Sequence, residues 1–148
     1  MNVGFYHCTR AAPEAVLPKL AIKAVEAGHR VLVHSTDQAQ AEAVDELLWT
    51  YDQNSFLPHG CAGGESDAEQ PLLISAEFDP VNHADLAIAM SGRLPNGDSA
   101  FARVLYLFDG NDQDAVRSAR QHWKALAERD GVDATYWAQG ERGWEKRQ

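Results

Sequence analysis

Nowhere in these 148 residues is there a run of apolar side chains near the roughly 18 that a membrane-spanning helix needs. The N-terminal stretch also lacks the basic, apolar and small-residue segments of a secretory signal. The expectation is a cytoplasmic protein with no membrane partner. Cysteine is limited to Cys8 and Cys61, and two reduced thiols are expected in that compartment rather than a disulfide. His59 and Cys61 resemble half of a zinc site, but neither C-x-x-C nor H-x-x-x-H occurs to complete it, so His59 reads as a loop histidine and no metal is expected. The turn after the first apolar run, "HCTRAAPE", has no G-x-G-x-x-G and no G-x-x-x-x-G-K-[ST]. Without those glycines a backbone cannot easily approach a pyrophosphate, so no nucleotide cofactor is expected.

Positive charge is also scarce, and unevenly so. The net charge is -9, which argues against a protein built to grip phosphate backbones and predicts no tight nucleic-acid binding. Residues 1 to 114 carry 6 Lys and Arg against 17 Asp and Glu, whereas residues 115 to 148 carry 7 against 5. A locally basic end on an acidic body can select an anionic peptide while the rest repels bulk polyanion.

What is present reads as one α/β domain over residues 1–148, with 45% hydrophobic and 24% charged residues. "VGFYHC" predicts a first strand. "PEAVLPKLAIKAVEAG" predicts a helix closed by Gly28, with Pro18 in or near its first turn. "HRVLVHS" predicts a second strand, and "STDQAQAEAVDELLWT" a helix capped by Ser35 or Thr36. "PLLIS", "ADLAIAM" and "ARVLYLF" add three strands whose continuous apolar character fits a sheet covered on both faces. "DQDAVRSARQHWKALAERDG" predicts the last helix, with Asp112 or Asp114 at its start and Gly131 past its end. The total is a three-layer, mostly parallel sheet of about five strands. "CAGGESDAEQ" and "SGRLPNGDS" read as exposed loops, and "SFLPHGCAGG" as too short and proline-bound for an ordinary strand, leaving Phe56 and Leu57 in need of cover.

For chemistry, Cys8 ends a parallel strand, where sheet-based active sites gather, but His7 points to the opposite face and a small buried thiol is the favoured reading. The carboxylates of "FDPVNHAD" and "LFDGNDQD" read as a loop and a helix cap rather than an acid–base pair. The last helix says more. At 100° per residue Val116, Ala119, Trp123 and Ala127 form an apolar stripe, and Arg120, Lys124 and Arg117 run along its edge. An arginine fork beside an aromatic ring suits a peptide that has acidic groups and an aromatic or carboxylate end.

"FYH", "AGHRVLV", "DELLWTYDQNSFLPHG", "PLLI", "ARQHWK" and "TYW" together resemble the chi subunit of bacterial DNA polymerase III, an accessory protein of the clamp-loader complex, over nearly the whole chain. The resemblance implies a Rossmann-like domain without catalytic activity. It implies two partners: the psi subunit, which joins chi to the clamp loader, and the acidic, phenylalanine-ended C-terminal tail of single-stranded-DNA-binding protein. The motif matching "LLWTYDQNSFLPH" implies that Trp49, Phe56, Leu57 and Pro58 face psi. In some bacteria a helicase shares that surface. The motif matching "ARQHWK" implies that Arg120 and Trp123 receive the tail, with Lys124 and Arg117 as neighbours. The chain departs from the family at Ala89, where many members carry Asn. It departs again in its extended tail 140–148, where Trp144, Lys146 and Arg147 either add to the anionic-tail site or fray, and fraying is expected. Two other readings compete: a small enzyme using Cys8 or His59, and a module that binds single-stranded DNA in a basic, aromatic-lined groove.

Overall fold

The computed structural model describes residues 2–51, 59–95, 101–129, 131–141 and 143–147. Among these, one sheet contains eight strands: β1 (Asn2–Cys8), β2 (Val31–His34), β3 (His59–Cys61), β4 (Leu72–Ser75), β5 (Leu86–Ala89), β6 (Arg103–Asp109), β7 (Asp133–Gly140) and β8 (Gly143–Lys146). Their order is β3-β4-β2-β5-β6-β1-β7-β8, and every neighbouring pair is parallel except β7 with β8. Three helices flank the sheet: α1 (Pro13–Glu26), α2 (Gln38–Thr50) and α3 (Gln113–Ala127).

The topology explains the layering. From β1 the chain crosses through α1 to β2 in one direction along the sheet, while from β6 it crosses through α3 to β7 in the other. Parallel crossovers are right-handed, so opposite directions of travel put the two helices on opposite faces. Val16, Leu17 and Ala21 of α1 and Ala41, Val44 and Leu48 of α2 pack with Val31, Val33, Leu72, Ile74 and Leu105 on one face. Ala119 and Leu126 of α3 pack with Phe5, Val104, Tyr106 and Phe108 on the other, where Phe78 and Phe101 from connecting loops complete the cover. Leu17, Val33 and Ile74 are wholly buried, and burying each such side chain contributes about 1.5–3 kcal/mol.

Five strands become eight because β3, β7 and β8 carry weak signals. β3 has only three residues, and the residues of β7 are half-buried on both faces instead of continuously apolar. The tail expected to fray is the edge strand β8, which folds back through Gly143 at φ 116, a conformation that suits glycine. Pro18 lies inside α1, past the first turn, and is buried. The α2 cap is Asp37, whose carboxylate accepts from the Gln40 N–H at 2.9 Å, rather than Ser35, which is buried, or Thr36. Gly28 and Gly131 both adopt positive φ just past their helices.

The opposite end of the strands is held by Arg30, Asn82 and Asp85. Arg30 donates to the Asn82, Ala68 and Gln70 carbonyls, and Asn82 donates to those of Val31 and Gln70. Burial works to raise the Asp85 pKa, but hydrogen bonds from His29 and the Arg30 N–H outweigh it and hold the carboxylate below its ordinary value.

Candidate functional site

α3 starts where Asp112 caps it, its carboxylate accepting from the N–H groups of Asp114 at 3.0 Å and Ala115 at 3.4 Å. Its buried line runs through Ala119 and Leu126, while Ala127, expected on the apolar stripe, is exposed. The stripe is thus rotated, so that Trp123 lies roughly 50° and Arg120 roughly 110° from the buried line at 3.6 residues per turn. Trp123 is therefore a border residue. Its ring meets Phe5 edge-on at 5.7 Å and Tyr136 at 6.0 Å, which fixes one side of the indole and leaves the rest beside the cations of the helix. The Tyr136 hydroxyl hydrogen-bonds His7 Nδ1 at 2.9 Å, and the His7 ring stacks on Phe108. Gly110 makes room for it: a β-carbon there would run into the His7 ring and the Thr9 methyl.

These side chains form the floor and wall of an open groove in two adjoining parts. One part, about 550 Å³, is lined by His7, Arg120, Trp123, Lys124, Tyr136 and Arg147. The other, about 650 Å³, extends past Arg117 and Gln121 to Gln113. Arg120, Lys124 and Arg117, which the helical spacing put on one edge, all line it. Arg147, expected to fray, is held by its backbone N–H donating to the Tyr136 carbonyl at 2.7 Å. Its guanidinium pairs with Glu145 at 3.0 Å, and Arg117 pairs with Asp114 at 3.4 Å, both exposed. Burial raises the Tyr136 phenol pKa, and the Arg120 charge partly counters this. The groove thus offers guanidinium forks, an ammonium and an aromatic wall at the basic end of an acidic chain. That suits a short segment carrying carboxylates and a ring.

A second surface lies at the C-terminal end of α2. Trp49 and Tyr51 are 49% and 47% exposed, and the Trp49 ring lies against His59 at 4.1 Å. His59 is in strand β3 rather than a loop; it is 6% exposed, with Nε2 3.2 Å from Asp45 Oδ1. It is buried because β3 docks beside β4 under α2. Phe56, Leu57 and Pro58 lie outside the described residues. Cys8 is fully buried, and burial pushes its thiol up to about 12. Cys61 is also free, its thiol raised by burial and then by Asp45 and Glu42. Among the described residues no group of three His, Cys, Asp or Glu could hold a metal, and no helix is long and apolar enough to cross a membrane.

The family profile described as "DNA polymerase III chi subunit, HolC" matches residues 1–134. The chain belongs to the DNA polymerase III chi subunit family. The DNA polymerase III subunit chi of Pseudomonas aeruginosa is 36% identical over 121 residues, covering 80% of this chain and 82% of the relative. That of Haemophilus influenzae is 29% identical, covering 81% and 83%. That of Escherichia coli is 28% identical, covering 78% of each. The profile ends two residues into β7, so the β7–β8 hairpin, with Tyr136 and Arg147, lies almost wholly beyond the matched residues of this chi-family chain.

Sequence reasoning missed His7 and Tyr136 in the groove and Tyr51 beside Trp49, and it expected Arg147, weighed as an addition to the groove, to fray. Their signal was partly visible. His7 lies opposite Cys8 by strand alternation, and Tyr136 faces the same way as Phe5, its partner in the β1–β7 register. Once β7 is placed beside β1, those alternations bring both to α3.

Proposed function

We propose that this chain is a noncatalytic adaptor subunit of the replicative polymerase. In this reading the α3–β7 groove takes the C-terminal tail of single-stranded-DNA-binding protein, and the surface at Trp49 takes the psi subunit. The observation that carries it is the convergence of Arg120, Lys124, Arg117 and Arg147 around the half-buried Trp123 in one groove. The tail's acidic residues and terminal carboxylate pair with the guanidinium forks, and its phenylalanine packs on Trp123 and Tyr136. The exposed Trp49 and Tyr51 supply the apolar groups a protein interface needs. The family resemblance assigns Phe56, Leu57 and Pro58 to the psi contact as well, or to a helicase in its place.

The raised Cys8 thiol supports the noncatalytic reading, because a thiol pushed to about 12 supplies almost no thiolate near neutral pH. Membership of one sheet by all eight described strands supports a single domain over 1–148, and the family's role supports a cytoplasmic location. The test is isothermal titration with a synthetic peptide of the tail, against the same peptide without its terminal phenylalanine. Binding of micromolar order that requires the phenylalanine is expected. Equal binding of both peptides, or of neither, overturns the assignment.

A further inference from the structure

The β7–β8 hairpin has a second face. Trp137 pairs with Tyr6 in the β1–β7 register and with Lys146 across the hairpin, and Gln139 pairs with Trp144. Cross-strand partners share a face, so Trp137, Trp144 and Lys146 point away from α3, toward the C-terminal end of α1. There Trp137 stacks parallel to Tyr6 at 6.3 Å and Trp144 meets Tyr6 edge-on at 5.0 Å. The three rings wall a groove of about 450 Å³ whose rim carries Lys23 and Arg103.

We propose that this groove is a second peptide-docking site, for an acidic segment that carries a large apolar side chain. It is distinct from the α3 groove and does not depend on what binds there. Three observations favour that occupant. The two indoles are only half-buried, so the described residues do not finish covering them. Lys23 and Arg103 supply positive charge, and among the described residues no carboxylate lines the groove and neither Lys23 nor Arg103 is in an ion pair. Arg103 lies near the Tyr6 hydroxyl, whose pKa burial raises and the Arg103 charge partly lowers. A single-stranded nucleic acid would also stack on indoles, but a few cations on a body of net charge -9 suit a short acidic peptide better than a phosphate chain.

The chain has four tryptophans, so four indole N–H signals separate the surfaces: Trp49, Trp123, and the pair Trp137 and Trp144. The experiment titrates the 15N-labelled full chain with acetyl-Asp-Glu-Asp-Leu-Phe-Glu-amide, whose blocked ends remove a free C-terminal carboxylate, in an Arg120→Glu background that disables the α3 groove. The Trp137 and Trp144 signals are expected to move saturably. Affinity is expected to fall about tenfold in a Lys23→Glu/Arg103→Gln variant, from loss of two partly exposed charge contacts. An unshifted Trp49 signal reports that the variant is folded, and Lys23→Gln alone is the milder substitute. Signals of Trp137 and Trp144 that stay put, or that move equally in wild type and variant, overturn the proposal. Larger shifts with an oligothymidylate than with the peptide overturn it in favour of nucleic acid, and shifts that depend on protein concentration alone overturn it in favour of a second copy. Failure of the tail reading shows separately, at Trp123 in the unmutated chain.

Discussion

Replacing Arg120 with glutamate should weaken the tail peptide by about 30- to 70-fold, and the number follows from the groove. A micromolar complex corresponds to about -8 kcal/mol. A charge-assisted bond between a guanidinium and a carboxylate contributes about 1.5–3 kcal/mol. Arg120 is exposed, so solvent screening reduces this to about 1–1.5 kcal/mol. A glutamate in its place faces the same carboxylates at about 6 Å, which costs roughly another 1 kcal/mol at an effective dielectric between those of the protein surface and water. The sum is about 2–2.5 kcal/mol, read by isothermal titration at low salt. The difference between variants should shrink toward molar salt, where the screening length falls to about 3 Å. Arg120→Lys keeps the charge and loses the fork, so an intermediate loss is expected. Lys19→Glu, on α1 at the other face, should stay within about twofold, since it lies more than a screening length of about 10 Å away. A second readout tests the geometry: Arg120 lowers the Tyr136 phenol against burial, so Arg120→Glu should raise that phenol's pKa further in an ultraviolet titration. Wild-type affinity in Arg120→Glu would refute the site, and an unmoved Tyr136 would refute its place beside the ring.

The other expectations concern the scaffold. Gly110→Ala drives a methyl into His7 and Thr9; chemical denaturation should show a loss of about 1–3 kcal/mol from overpacking, with weaker tail binding because His7 leaves the floor. Asp112→Ala removes the α3 cap and should cost about 1 kcal/mol by the same assay, whereas Asp112→Asn should retain most of it. Cys8, buried with its thiol pushed up to about 12, should resist iodoacetamide at neutral pH until the chain is denatured; rapid labelling of the native protein would revive the thiol-enzyme reading. His34, stacked on Phe78, has its pKa lowered from 6.5, chiefly by burial. The unfolded chain therefore takes up the proton first. The stability this group contributes is present above pH 6.5 and is lost as pH falls below it toward the folded value. Urea midpoints should drop over that window, and the drop should be smaller in His34→Asn.

The strands legible in the sequence were those buried on both faces, since "VLVH", "LLIS", "LAIA" and "RVLYLFD" are buried almost throughout and nothing else explains so apolar a run. The strands that escaped lie at the margins of the sheet. β7 interleaves Tyr136 and Trp137 with Thr135, Ala138 and Gln139, because helices cover it only in part, and such a pattern carries neither a clean alternation nor a continuous run. The helical wheel of α3 grouped three cations that line one groove but set its stripe too far round. Ala127 and Leu126 are both apolar, and only the position of the sheet decides which of them faces it.

In the adaptor reading proposed above, that miss bears on how partners would be selected. Without β7 and β8, the basic edge of α3 is a row of solvated side chains whose individual ion pairs contribute little. With the hairpin in place, Tyr136 and Arg147 face those cations across a groove, and Trp123 is braced against Phe5 and Tyr136. In that reading the cations act together on a segment short enough to lie between helix and hairpin. A long polyanion engaging the same groove must also run past a body that carries 17 acidic against 6 basic residues before position 115, and it loses by repulsion what it gains in the groove. Length discrimination of this kind makes a direct prediction. Free oligothymidylate should compete for the α3 groove progressively less well than an acidic peptide as the strand is lengthened, and competition that strengthens with length, at constant salt, would show that the acidic body does not act as the filter.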